Sequence, residues 1–106
     1  METWTSASQN CQQLGGNLTS IHSEEENDFL NTMITAVTKN DIWIDGTVVD
    51  QHTFGWSDGS VWDYENWLSD QPDFGGQDSI ALDSANHGGW RDLEHSDHRY
   101  YVCRLY

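Results

Sequence analysis

The chain has 106 residues, with 18 acidic side chains against 4 basic ones, and a formal net charge of -14. That length accommodates one domain and hardly two. The acidity argues against nucleic acid and anionic membrane surfaces, which recruit clusters of Lys and Arg; the basic residues are only Lys39, Arg91, Arg99 and Arg104. Aromatics make up 12% of the chain, including six Trp, which excludes a disordered acidic tail. No uninterrupted apolar run exceeds Tyr100 to Cys103, so no membrane insertion is expected. The first four residues do not read as a secretory signal, which suggests a mature or excised domain.

Along the chain, Ala7, Cys11 and Leu14 recur at i, i+4 and i+7, with Trp4 one turn earlier. That spacing predicts a helix, and Gly15-Gly16 ends it. Leu18 and Ile21 suggest a short strand. Ser23-Glu24-Glu25-Glu26 reads as a capping box, which makes the three glutamates a solvated helix start. Phe29, Leu30, Met33, Ile34 and Val37 are the expected buried stripe behind it, with Lys39 at the negative end of the helix dipole. From Asp41 the period changes: Ile42-Trp43-Ile44 and Phe54-Gly55-Trp56 predict strands, the second closed by a turn at Ser57-Asp58-Gly59-Ser60. Residues 61–78 are polar, aromatic and aperiodic, as expected of a functional loop. Ile80-Ala81-Leu82 resumes strand character, Asn86 to Gly89 turns before Trp90, and Tyr100 to Cys103 predicts a terminal strand. Two helices followed by short strands and one large loop give an α+β domain spanning residues 1–106.

Two cysteines, Cys11 and Cys103, stand near opposite ends. Taken alone they are two buried thiols or one bridge. An Asn17-Leu18-Thr19 sequon, many Trp and Gly, and a single Lys lean toward a secreted protein.

Several pieces then join in one order: Trp4-x-x-Ala7-x-x-x-Cys11, Gly15-Gly16-Asn17-Leu18, Trp43-Ile44, Trp56-Ser57-Asp58-Gly59, Tyr64-x-Asn66-Trp67, Gln71-Pro72-Asp73, Trp90-x-Asp92 and Tyr101-Val102-Cys103. The ordered set resembles the C-type lectin-like domains over essentially the whole chain. The resemblance implies two helices beside two small antiparallel sheets, with a long excursion carrying the ligand site. It also implies an extracellular setting, a Cys11–Cys103 disulfide, and Trp43, Trp56, Trp67 and Trp90 in the core. The family's second disulfide is missing, since Ser79 and His95 stand at its positions. The strand that precedes the first helix in the family has almost no residues here.

In sugar-binding members a calcium ion held by oxygens chelates two sugar hydroxyls. By resemblance, Gln71 and Asp73 match the galactose-type tripeptide, Gln77 replaces a glutamate, Arg91 replaces an asparagine, and Asp92 is retained. Were calcium bound, its ligands would be Gln71, Asp73, Gln77 and Asp92. Calcium needs six to eight oxygens and gains affinity with carboxylate count, so Gln77 and Arg91 disfavour it. Val48 and His52 stand near the family's other calcium positions. No metal or other cofactor is therefore expected. Arg91 is expected among Asp73, Asp92 and Asp78, in place of the cation. The expected ligand is an N-acetylated hexosamine or galactose-like sugar, held by Gln71, Asp73, Phe74, Gln77, Asp78, Arg91 and Asp92 without calcium. The alternatives are a calcium-dependent galactose-type lectin and a domain that has lost sugar binding and contacts protein or ice. His95-x-x-His98 with Asp97, His52 and His87 gives only a weak zinc pattern, so no enzyme is expected. Glycans are the expected partners, and a homodimer would add avidity.

Overall fold

The computed structural model describes residues 1–50, 53–73 and 77–105. Its elements are α1 (Trp4–Gln13), β1 (Gly16–Leu18), α2 (Glu24–Thr35), β2 (Asp41–Asp50), β3 (Thr53–Trp56), β4 (Ser79–Asp83), a 3-10 turn (Ser84–Asn86), β5 (Gly89–Leu93), β6 (Tyr100–Tyr101) and β7 (Cys103–Leu105). The larger sheet runs β3-β2-β4-β5, antiparallel throughout, and β6 joins β2 in parallel. β1 and β7 form a separate antiparallel pair. The architecture is the α+β arrangement expected, with two helices and two sheets.

Local chemistry accounts for both helices. Thr3 caps α1 through Oγ1, which accepts from Ser6 N, and Gly15 leaves the helix at φ 91°. Ser23 Oγ accepts from Glu26 N at 3.1 Å, and Glu26 Oε1 reaches back to accept from His22 N. The capping box therefore closes one residue upstream of its usual partner. α2 ends at Thr35, so no basic residue lies in its last turn and Lys39 stands beyond it.

The predicted stripe on α2 needs correction. Leu30 and Ile34 are buried, but Phe29 is 70% exposed, Val37 86% exposed, and Met33 is also exposed. The buried line instead runs Asn27, Leu30, Ile34. Asn27 takes a core position because its amide is matched there: Oδ1 accepts from Trp90 Nε1 at 2.8 Å, and Nδ2 donates to Gly88 O at 3.1 Å.

Two apolar clusters lie on opposite faces of the larger sheet. One contains Ile42, Ile44, Ile80, Leu82 and Trp90 with Leu30 and Ile34; the other contains Trp43 and Ala81 with Ala7, Cys11 and Leu18. Trp43, Trp56 and Trp90 are buried, and Trp67 packs partly buried against Trp90. Cys11 and Cys103 form a disulfide that ties α1 to β7 across 92 residues of chain. In the entropy picture a loop that long contributes about 4 to 5 kcal/mol.

Candidate functional site

Position is set first by Trp90. Its ring meets Trp56, Trp62, Tyr64 and Trp67 edge to face, with centroids 5.5 to 5.9 Å apart. Residues of the long excursion dock along the free edge of β5: Trp90 N donates to Asn66 O at 2.8 Å, and Leu68 N donates to Trp90 O at 2.9 Å. Leu68 packs directly over Gly89, where no Cβ would fit. A turn then follows, with Gln71 N donating to Leu68 O at 3.0 Å and Asp70 at φ 68°. It delivers Gln71, Pro72 and Asp73 beside Asp92; the Gln71–Pro72 peptide is cis.

There the three polar side chains interlock. Asp73 N donates to Asp92 Oδ1 at 2.9 Å, Asp92 N to Gln71 Oε1 at 3.3 Å, and Gln71 Nε2 to Asp73 Oδ2 at 3.4 Å. Asp92 is buried and Asp73 is exposed, so the cluster runs from the core to the surface. Gln77, four residues beyond Asp73, keeps a buried Oε1 with no hydrogen-bond partner among the described residues. Phe74, together with Gly75 and Gly76, lies outside the described residues, as does His52.

Arg91 is not in this cluster. Its guanidinium is bonded to Asp83 Oδ2 at 2.6 Å, and Asp83 also accepts from Ala85 N and Asn86 Nδ2. Strand parity is the reason. Trp90 and Asp92 share the face of β5 that pairs with Leu82 and Ile80, while Arg91 pairs with Ala81 on the opposite face. The expected guanidinium among Asp73, Asp78 and Asp92 is thus replaced by a guanidinium that steadies the far end of β4.

Asp78 is also committed elsewhere. Its Oδ2 lies 2.7 Å from His95 Nδ1, and its Oδ1 accepts from His95 N at 2.9 Å. Ser79 Oγ reaches Asp78 Oδ1 at 3.4 Å. Ser79 and His95 are the positions where the family's second disulfide is missing, and Asp78 bridges them noncovalently.

The donor set does not fit calcium well. Gln71 Oε1 and Asp92 Oδ1 already accept backbone N–H groups, and only two of the four candidate ligands are carboxylates. Among the described residues, no group of three or more His, Cys, Asp or Glu is arranged to hold a metal. The His95-x-x-His98 pattern is divided too, since His95 faces Asp78 and His98 lines a separate cleft.

A cluster not anticipated in the sequence lies beside Trp56 of β3. His22 Nδ1 is 2.7 Å from Asp63 Oδ1, and His22 Nε2 is 3.2 Å from Ser20 Oγ. The order resembles nucleophile, base and acid, but Ser20 is 1% exposed and donates its proton to Asp58 Oδ2 at 2.8 Å. Burial pushes the Asp58 carboxyl up, but hydrogen bonds from Ser60 and Ser20 and the nearby His22 outweigh it and hold the pKa below its ordinary value. The ionised Asp58 carboxylate occupies the serine O–H, which is not directed at His22, so the cluster locks a turn. Period and motif could not have found it, because it joins residues 38 to 41 apart in sequence.

Comparison with known proteins agrees with this fold. The family model described as Lectin C-type domain matches residues 1–105. A protein named Lectin from the newt Pleurodeles waltl is 38% identical over 112 residues, covering 97% of this chain and 64% of its own length. Among solved structures, the carbohydrate-recognition domain of cow CD23, determined in the presence of a GlcNAc2Man3 oligosaccharide, is 31% identical. It superposes with a TM-score of 0.85 over 99% of this chain and 81% of that one. A calcium-independent type II antifreeze protein is 28% identical, with a TM-score of 0.87 over 96% of this chain and 77% of that one. Among the described residues no helix is long and apolar enough to cross a membrane.

Proposed function

The chain belongs to the C-type lectin domain family, and from that premise we propose that it is an extracellular, non-enzymatic carbohydrate-binding domain that holds its sugar by direct hydrogen bonds, without calcium. The observation that carries this reading is the convergence of Gln71, Asp73 and Asp92 at the surface end of β5. Asp73 supplies an exposed carboxylate, and Gln77 supplies a buried amide oxygen with no donor among the described residues. Acceptors in need of donors suit the hydroxyls of a galactose-like sugar or the amide N–H of an N-acetylhexosamine. A hydrogen bond to a charged acceptor contributes about 1.5 to 3 kcal/mol, against about 1 for a neutral one. Asp73, the exposed carboxylate, therefore matters most to direct sugar contact, and buried Asp92 acts by holding Asp73 in place. Arg91, bonded to Asp83, has no part in sugar contact on this reading. Individual sites of this kind are weak, and pairing of two domains would supply avidity.

A glycan array run in EDTA and again in calcium tests the proposal. Binding of galactose-type or N-acetylhexosamine glycans is expected in both; binding abolished by EDTA and restored by calcium would overturn it. The resemblance to a calcium-independent antifreeze protein supports a second reading, adsorption to ice. Thermal hysteresis in the absence of glycan binding would favour that reading.

A further inference from the structure

Basic side chains are scarce, yet two of the four Lys and Arg residues line one cleft away from the Gln71–Asp73–Asp92 corner. The cleft has a volume of about 360 Å³, and Lys39, Asn40, Asp41, His98 and Arg99 are in its wall. It lies where β2 begins and where the 98–99 segment passes it on the way into β6.

The donors there are underused, and that separates this cleft from the rest of the basic residues. Arg91 is bonded to Asp83 at 2.6 Å, and Arg104 donates to Ser20 O and Glu26. Among the described residues the Arg99 guanidinium has only a long contact of 3.5 Å to Asp97, and its buried Nε–H finds no acceptor. Lys39 and His98 are exposed, and neither forms an ion pair among the described residues. A point-charge ammonium, a forked guanidinium and an imidazole on one concave wall match the several oxygens of a tetrahedral anion.

We propose that this cleft binds a sulfate or phosphate monoester carried on a molecule of about monosaccharide size. Size follows from the field around it. The chain carries a net charge of -14, and at physiological salt charges interact over about 8 Å. A small anion inside the cleft meets chiefly Lys39, His98 and Arg99, whereas a long polyanion would run onto acidic surface. Asp41 opposes the anion from within the cleft, so its removal strengthens binding. The site is independent of the sugar corner, and either can fail without the other.

The test is titration of the 106-residue chain with galactose 6-sulfate, galactose 6-phosphate, inorganic phosphate and neutral galactose at low salt, followed by amide NMR and calorimetry. All three anions are expected to shift residues 39–41 and 98–99, and galactose is not. The tighter of the two esters identifies the preferred group. Lys39→Ala and Arg99→Gln should each weaken ester binding at least fivefold, and Asp41→Asn should tighten it at least threefold. Lys39 is exposed, so its variant keeps the fold, and a Tm no lower than the parent's verifies this for all three. Absence of shifts at these residues, shifts confined to residues 71–73 and 92, or full affinity in Lys39→Ala would overturn the proposal.

Discussion

Asp92 and Arg91 are neighbours in the chain but belong to different regions. On the Asp92 side, Asp92 accepts the Asp73 N–H of the docked excursion, Gln71 accepts the Asp92 N–H of β5, and the Asp73 carboxylate is exposed to solvent. On the Arg91 side, the guanidinium meets Asp83, and Asp83 also caps the 3-10 turn. Asp41 pairs across from Asp83, and burial, then the Asp83 charge, raises its carboxyl above the ordinary value despite Arg91 and Arg99. On the proposed reading, one face of the strand presents acceptors to a sugar. The opposite face balances its own charges to hold the sheet. Acidity alone therefore says little about binding; what matters is whether a carboxylate already has a cation.

The most severe way to break this comparison is to remove the core support beneath the Asp92 face. Trp90→Ala deletes the ring on which Trp56, Trp62, Tyr64 and Trp67 converge. A loss of about 3 to 5 kcal/mol is expected in chemical denaturation, together with loss of sugar binding.

Asp45 belongs to neither region and isolates burial from pairing. It is fully buried on β2, accepts from Ser57 Oγ and from Asp58 N, and meets no cation among the described residues; burial raises its pKa to about 6. The folded state keeps this proton up to about pH 6, while the unfolded carboxyl releases it near 3.8. Stability from this group is therefore full below about pH 4 and is lost as pH rises through 6, by about 3 kcal/mol. Denaturation across that window should show the loss in the parent chain and not in Asp45→Asn. Equal slopes in the two proteins would contradict it.

Single substitutions on each face should then separate cleanly. Arg91→Ala leaves Asp83 without its guanidinium and is expected to lower stability by about 2 kcal/mol, with sugar affinity within about twofold of the parent, well under 1 kcal/mol. Asp92→Ala is expected to weaken sugar binding by about tenfold or more, equivalent to about 1.4 kcal/mol. Calorimetric titration of both variants against one glycan reads the contrast directly; a large affinity loss in Arg91→Ala would erase it. The smallest effect belongs to Ser23→Ala, which removes the α2 cap far from both faces. It should cost about 1 kcal/mol in a thermal melt and leave glycan affinity unchanged.

The sequence by itself determined a good deal. It specified the family through an ordered set of motifs, the α1 repeat ending at Gly15, the capping box at Ser23 and the core placement of Trp43, Trp56 and Trp90. These are local or composition-level signals, and turn and cap chemistry is decided within a few residues. Gln71, Asp73 and Asp92 were also legible as a set through the motifs that contain them.

Tertiary structure decided which side of each element those residues face. Four apolar side chains on α2, with Val37 just beyond it, competed for burial; packing in the cluster that contains Trp90 selected Leu30 and Ile34 and admitted Asn27 because Trp90 offers it an N–H. Arg91 aligned with a ligand position, but the pleat set it opposite Asp92, where Asp83 waited as partner. A one-residue step along a strand reverses the face, and the partner on that face comes from a distant part of the chain. Sequence order supplies the residues; only the sheet register decides which charges meet.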